Sequence, residues 1–574
     1  VRGDDAAVAA PAQIARVPRQ RRPAPAADRT TSDPAQRIVA DLVAQPWGDI
    51  SASVYETGRL VTLAPWLSAH AARVEFLRQA QRPDGGWGGP EGYALVPTLS
   101  ATEALLTTLR RAERGGAGDL SVAVDRGLRA LLRLLPAVGE HNLPDTPAVE
   151  IIAPALVAQL NEHLASLLDA PITGLDAWRG GRLPLPGGMD HALTDAIRAK
   201  LRLGETLPAK LLHFLEVAGA DAVRAPGVRP LPLGMIGASP AATAAWLGQP
   251  AAAETGHRAA RYLEAVAERD GGPVPTFVPI TAFERSWVLS GFATAGFVGD
   301  DQRSVGALDI PDELVASMRA TLGPDGAASG PGLPPDADTT AATLHALGRL
   351  GAPHSMDCLR RYETETHFFT WLGGERTSSA TTNAHVLDAL TDVLAQPGAS
   401  AWHQASTDKI SAWLCDQQLT DGTWQDKWHA SPYYATTCCV IALAGLPVSA
   451  PSRADRIATC LERSVRWVLE TQRSDGAWGR WETTAEETAY AIQILSLSGT
   501  TTAAVERAVA RAYPYLRDAA READAVPAPP LWHDKDLYVP RTIVRAATLG
   551  ALRLARASPG VVALLPPADR TPGG

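Results

Sequence analysis

Apolar side chains recur at helical spacing along most of this chain, in Ala- and Leu-rich runs such as residues 151–168 and 382–394, with Gly, Pro and Asp gathered between the runs. That period lays one apolar stripe along each helix, and the alternation that marks a strand is scarce, so the pattern predicts an all-α protein. One run is punctuated at both ends. Leu333-Pro-Pro-Asp336-Ala-Asp338-Thr339-Thr340 leads into apolar sequence that stops at Gly351, which makes Asp336 the predicted N-cap and places Asp338 in the first turn. Residues 1–35 hold too few large apolar side chains to offset the cost of ordering and are predicted to be a disordered leader, with periodic sequence starting near Arg37.

Three of the helical runs end in the same words. Gln81-Arg-Pro-Asp84-Gly85-Gly-Trp87, Gln418-Leu-Thr-Asp421-Gly422-Thr-Trp424 and Gln472-Arg-Ser-Asp475-Gly476-Ala-Trp478 all spell QxxDGxW. The expected geometry is a helix end, an Asp-Gly turn, and a Trp folded back over the terminus, where Gln and Asp can satisfy orphan backbone groups. Repetition of this unit predicts stacked helix pairs closing into a ring.

Length and charge narrow the picture. A chain of 574 residues exceeds one ordinary core, so two domains or one large toroid are expected. With 53 basic and 62 acidic residues, a net charge of −9 gives no general attraction to nucleic acid. Five cysteines without CxxC spacing imply neither a disulfide framework nor a zinc site. No uncharged apolar run approaches the ~20 residues of a membrane span, so a soluble, cytoplasmic protein without integral membrane association is expected. Oligomeric state is not legible.

The chemistry begins at Asp338. Backbone N–H groups of a first helical turn favour a carboxylate, whereas burial and a second carboxylate nearby favour the protonated acid. A carboxyl held between these pulls is a strong proton donor.

Together these motifs carry a resemblance. The QxxDGxW clasps and Asp336-Ala-Asp338-Thr-Thr look like the class II terpene cyclases, and dispersed stretches agree in order from about residue 40 to 550. Ser53-Val-Tyr55-Glu56-Thr57 is similar to the family's SxYDT, Leu207-Pro208-Ala-Lys-Leu-Leu-His213-Phe-Leu-Glu216 to LPTTLLHSLE, and Gly271-Gly-Pro-Val-Pro275-Thr276-Phe to GGVPNVF. Thr382-Asn383-Ala-His385 and Leu531-Trp532-His-Asp-Lys535-Asp-Leu537-Tyr538 also have counterparts.

The resemblance implies two α/α-barrel domains, γ at 61–290 and β at 36–60 plus 291–574, with substrate between them. The family's DxDD acid falls on Asp338, while its last Asp is Thr339 here; Thr339 can hydrogen-bond a carboxylic acid but adds no charge. Asn383 matches a residue that orients the acid. Trp287, Trp371, Tyr433 and Tyr434 are candidates for an aromatic lining that stabilises cations. His213 matches a residue that holds the water removing the last proton, but its Asn partner is Thr276 here.

Metal-dependent ionisation of a diphosphate uses DDxxD, and the nearest string, Asp300-Asp301-Gln-Arg-Ser304, lacks the final acid. The implied reaction is therefore protonation-initiated cyclisation of an isoprenyl diphosphate that keeps its diphosphate. Geranylgeranyl diphosphate is favoured, with farnesyl diphosphate next. Lys200 and Mg²⁺ are expected to hold the diphosphate, while Glu140, Asp145 and Glu150 lie where the family keeps an acidic stretch without singling out a ligand. A squalene-type cyclase shares the clasps and acid but usually carries a more aromatic cavity than a chain of 6% aromatic residues suggests. A non-catalytic toroid acting as an interaction scaffold would not need Asp338. A glycosidase needs two separated cleft carboxylates, which Asp336 and Asp338 are not.

Overall fold

A computed structural model describes residues 33–111, 117–137, 143–249, 256–298, 307–373, 375–394, 396, 398–447, 450–522 and 528–570. Most of the predicted leader, Glu140 and the Asp300–Ser304 string lie outside them. The described chain is almost all helix, and it builds two large hydrophobic cores and one small cluster around Ala430, Leu531 and Leu537. One core gathers residues 35–50 and 277–565 with Ala238, the other residues 54–278.

Each core is the inside of a helical ring. In the larger, Thr281–Thr294, Ala337–Arg349, Ala380–Leu394, Pro432–Ala444, Ala485–Leu497 and Arg541–Ala557 pack each on the next, and the last closes on the first. These inner helices are buried on nearly every side, and their Ala, Thr and Ser content lets neighbouring backbones approach. Outer helices read differently. Pro451–Glu470 buries Ile457, Cys460, Leu461, Ser464, Val465 and Val468, one stripe at helical spacing, and turns its charges outward. The smaller ring closes through Val54–Leu63, Leu95–Arg111, Val149–Ser166, Leu215–Ala222 and Pro240–Leu247.

This corrects the expected boundaries. Val54–Leu63, assigned mostly to the larger domain, has its apolar residues in the smaller core; Thr281–Thr294, assigned mostly to the smaller, packs in the larger. Ring closure decides the matter, because each helix buries its apolar face only where a gap in a ring receives it.

The clasps act alike at all three sites. Trp87, Trp424 and Trp478 are fully buried, and each indole donates to the carbonyl ten residues earlier, on Leu77, Leu414 and Val468, at 2.7–2.8 Å. Each Gln bridges its own turn to the next outer helix, as Gln81 does to the Gly85 and Ala123 carbonyls. The turn needs glycine. Gly85, Gly422 and Gly476 sit at φ +88°, +94° and +89°, and a Cβ there would lie 2.6–2.9 Å from a backbone oxygen of that next helix.

A short feature missed in the sequence joins the two rings. Strands Trp532–His533 and Leu537–Tyr538 pair antiparallel, and their turn inserts Lys535 among residues of the smaller core. Lys535 Nζ lies 2.5 Å from Glu56, 2.9 Å from Glu216 and 3.0 Å from Ser239 Oγ, all buried. Asp536 accepts from Ser53 Oγ at 2.8 Å and Tyr55 N at 2.9 Å. Breaking a buried pair of this kind by removing one partner costs about 3–5 kcal/mol, so the hairpin tip is firmly held.

Candidate active site

Between the rings lies a cavity of about 580 Å³ whose wall is shared by both. Phe277, Phe283, Trp287, Trp371, Trp428, Tyr434, Trp532 and Tyr538 supply rings to it; Asp336, Asp338, Thr339, His213 and Asp534 supply polar groups. Lys200, Lys210 and Glu150 also line it and are exposed, which marks the mouth, whereas Asp338 is buried.

Asp338 stands one residue into the Ala337–Arg349 helix, behind the N-cap Asp336. Asp336 accepts from Thr339 N at 2.6 Å, from Thr339 Oγ1 at 3.0 Å and from Ser329 Oγ at 3.1 Å. Burial, then the charge of Asp338, pushes the Asp336 carboxyl up to about 7 despite these bonds. Thr339 therefore serves Asp336, the cap, through the hydrogen bond expected of it.

The partner of Asp338 differs from expectation. His385 Nδ1 lies 2.6 Å from Asp338 Oδ1, and among the described residues no donor meets Oδ2. Burial works against a charged His385 ring, but the charge and hydrogen bond of Asp338, with Cys438 behind, hold its pKa well above the ordinary value. Asn383 does not reach the acid. Its Oδ1 accepts from Phe368 N at 2.8 Å and its Nδ2 donates to the Phe368 and Ser379 carbonyls, clipping a loop to the helix. Two residues apart on one helix, Asn383 and His385 face different ways, and only the second faces Asp338.

Rings surround the acid in contact with one another. Trp287 stands edge-on to His385 at 5.1 Å, packs on Phe283 at 4.6 Å, and donates its Nε1 to Tyr434 OH at 2.7 Å. Trp532 packs on Tyr434 at 4.6 Å and is pinned by Glu486 through Nε1 at 2.6 Å. Tyr433 is a correction. It points away from the cavity, packs tilted against Trp467 at 4.4 Å and donates to Thr471, while the next helix position, Tyr434, takes the inner face.

His213 lines the cavity with Nδ1 2.6 Å from the Gly237 carbonyl and Nε2 3.2 Å from Asp534 Oδ2; Thr276 Oγ1 donates to that same oxygen at 2.5 Å. His213 and Thr276 thus converge on Asp534, a residue the sequence reading passed over. At the mouth Lys200 holds Glu205 at 3.1 Å, an exposed pair weak enough to release the ammonium to a stronger anion.

Residues 376–523 match the squalene-hopene cyclase C-terminal domain. The chain is 43% identical over 521 residues to an ent-copalyl diphosphate synthase of Streptomyces sp. (strain KO-3988), covering 90% of this chain and 95% of that protein. The chain belongs to the class II terpene cyclases. The cyclase is also 38% identical to a labda-7,13-dienyl diphosphate synthase of Streptomyces clavuligerus, over 92% of this chain and 94% of that one. A solved ent-copalyl diphosphate synthase from Streptomyces platensis superposes with a TM-score of 0.82 at 43% identity, covering 91% of this chain and 98% of the other. The cyclase accordingly has the two α/α barrels and the acid-initiated chemistry of its family.

Among the described residues of this cyclase no group of three His, Cys, Asp or Glu side chains converges as a metal site. Asp145 is engaged by Arg376 and Thr377. Glu150 at the mouth fits a looser arrangement, since Mg²⁺ carried on a diphosphate needs only one or two protein carboxylates. No helix of the described residues is long and apolar enough to cross a membrane.

Proposed function

We propose that this enzyme cyclises geranylgeranyl diphosphate to a bicyclic twenty-carbon diphosphate, with Asp338 as the acid. Asp338 on the wall of a ring-lined cavity, with His385 hydrogen-bonded behind it, carries this reading. Asp338 Oδ2 gives its proton to the terminal alkene, and the resulting tertiary cation is captured by the next double bonds as two rings close. His385, donating to Oδ1, stabilises the carboxylate left behind and so strengthens the acid. Trp287, Phe283, Tyr434 and Trp532 present π faces to the migrating charge and exclude water from it.

The C–O bond to the diphosphate stays intact. Lys200 and Lys210 would hold that group at the mouth, and Glu150 would be the carboxylate to hold a Mg²⁺ carried on it, which would neutralise part of its charge. The names of the similar proteins, copalyl and labdadienyl diphosphate synthases, favour the twenty-carbon substrate over farnesyl diphosphate.

The test is to incubate purified protein with each diphosphate and Mg²⁺, treat with phosphatase and identify the alcohols. A bicyclic twenty-carbon alcohol is expected. Pyrophosphate released in step with cyclisation, or faster turnover of the fifteen-carbon substrate, would overturn the reading.

A further inference from the structure

We propose that Asp534 is the base that ends the cyclisation, and that His213 is its positioning residue. This rests on the cyclase reading above and extends it to the last step.

Hydrogen-bond accounting at His213 carries the argument. Its Nδ1 faces the Gly237 carbonyl oxygen at 2.6 Å, which only accepts, and its Nε2 faces the Asp534 carboxylate at 3.2 Å. Both ring nitrogens therefore donate, and the ring has no lone pair left for a substrate proton. The arrangement is built into the backbone. Gly237 sits at φ +55°, and a Cβ there would lie 2.5 Å from His213 N, so only glycine brings its carbonyl to the ring.

Asp534 is loaded on one side only. Oδ2 receives both His213 and Thr276, while Oδ1 meets no donor among the described residues, and the side chain forms part of the cavity wall. The hairpin behind it is fixed by Lys535 and Asp536, so the free oxygen is held in place. His213, Lys535, Asp536, His533 and Tyr538 are the titratable groups around it. Burial pushes its carboxyl up, but the charge and hydrogen bond of His213, then Lys535 and Thr276, bring it down to about 2. A base so weak suffices, because a C–H beside a carbocation is a far stronger acid than any carboxylic acid, and it stays ionised throughout the working range.

In the step, Asp534 Oδ1 takes a proton from a carbon next to the final ring cation. The electron pair of that C–H bond becomes the product alkene, and the cation is discharged. Asp534 then loses the proton to solvent and Asp338 regains one, so substrate and product are isomers and no co-reactant is consumed.

The experiment compares wild-type protein with Asp534→Asn and His213→Gln, each with geranylgeranyl diphosphate, and identifies dephosphorylated products by gas chromatography and mass spectrometry. Asn keeps an acceptor for Thr276 but has no basic oxygen. Asp534→Asn is expected to consume substrate at a rate lowered by no more than about tenfold, while more than about half of the product becomes an isomeric alkene or a water-captured alcohol. The wild-type product in the wild-type ratio would overturn the assignment, as would a folded variant that consumes nothing, since the base is used only after the rings close. Glutamine at 213 keeps a donor and removes the charge. Its product ratio is expected to depend more strongly on pH than that of wild type, because burial raises the Asp534 carboxyl without the His213 charge to lower it, and to lose that dependence when Asp534→Asn is added. Loss of packing alone gives no such titration, so a flat ratio in His213→Gln overturns the positioning role; this readout also decides the case should Asp534→Asn not fold. Failure of the substrate reading appears instead in the wild-type reaction, as absence of a bicyclic diphosphate.

Discussion

Two carboxyls on the cavity wall, Asp338 and Asp534, each pair with a histidine, and the two pairs are wired in opposite senses. At Asp338 one histidine meets one oxygen, and a second carboxyl, Asp336, stands a residue away. At Asp534 two donors crowd one oxygen and a buried lysine follows in the chain. The first surroundings suit a carboxyl that gives up a proton, the second one that keeps its charge. In the proposed assignment, the number of donors and the sign of the neighbours separate acid from base.

The largest break in this comparison comes from Asp338→Asn, which keeps the volume and removes the acidic proton. Cyclisation is expected to fall by at least about a thousandfold with melting temperature within a few degrees of wild type. Near-normal turnover would move the acid elsewhere.

The next test separates two residues on one helix. His385→Ala removes the donor that stabilises the Asp338 carboxylate and is expected to lower kcat about 100-fold. Asn383→Ala leaves the Phe368 N–H and carbonyl buried and unpaired, so it is expected to cost about 2–4 kcal/mol of stability, with kcat per folded molecule within a few-fold. Steady-state rates alongside denaturant melts check both, and the opposite pattern would restore Asn383 as the orienter.

A smaller effect is expected at the mouth. Lys200→Ala should raise KM up to about tenfold and leave kcat nearly unchanged if the ammonium binds the diphosphate throughout the reaction. A drop in kcat at constant KM would place Lys200 nearer the chemistry.

The smallest concerns the cap. Asn caps a helix nearly as well as Asp, so Asp336→Asn should change stability by under about 1 kcal/mol near pH 4. Its pH dependence is the sharper reading. The Asp336 carboxyl is raised from 3.8 to about 7, so the unfolded chain ionises first as pH rises, and the group's contribution to stability, full below 3.8, is lost on passing through about 7. Asp336→Asn should therefore remove part of any decline in melting temperature over that window. At Asp534 the sign reverses: its contribution is present above the ordinary Asp pKa and lost as pH falls toward about 2.

Local chemistry explains which features were legible in the sequence. Asp336 as N-cap, Gly351 at the helix end and the three QxxDGxW clasps are written in a few adjacent residues, and each forms as the local pattern demands. Trp287, Tyr434 and Lys200 line the cavity as the resemblance implied, and Tyr433 does not, because its ring turns toward Trp467 and Thr471 instead. His385 stood inside the quoted Thr382–His385 stretch. Its selection over Asn383 depends on how the Ala380–Leu394 helix is rotated against Ala337–Arg349.

The sequence by itself determined the all-α character, the clasped helix ends, the place of Asp336 and Asp338 at the start of one helix, and the family. These follow from short-range signals: capping, periodicity, turn glycines and motif spelling. Only the tertiary structure decided which helix closes which ring, that His385 serves Asp338, and that residues 213, 276 and 534 meet at one oxygen. Those contacts join segments up to 321 residues apart, and no local rule specifies the rotation of one helix against another or the depth to which a hairpin of two-residue strands is driven. Packing of the two cores fixes both, and with them the unlike surroundings of Asp338 and Asp534.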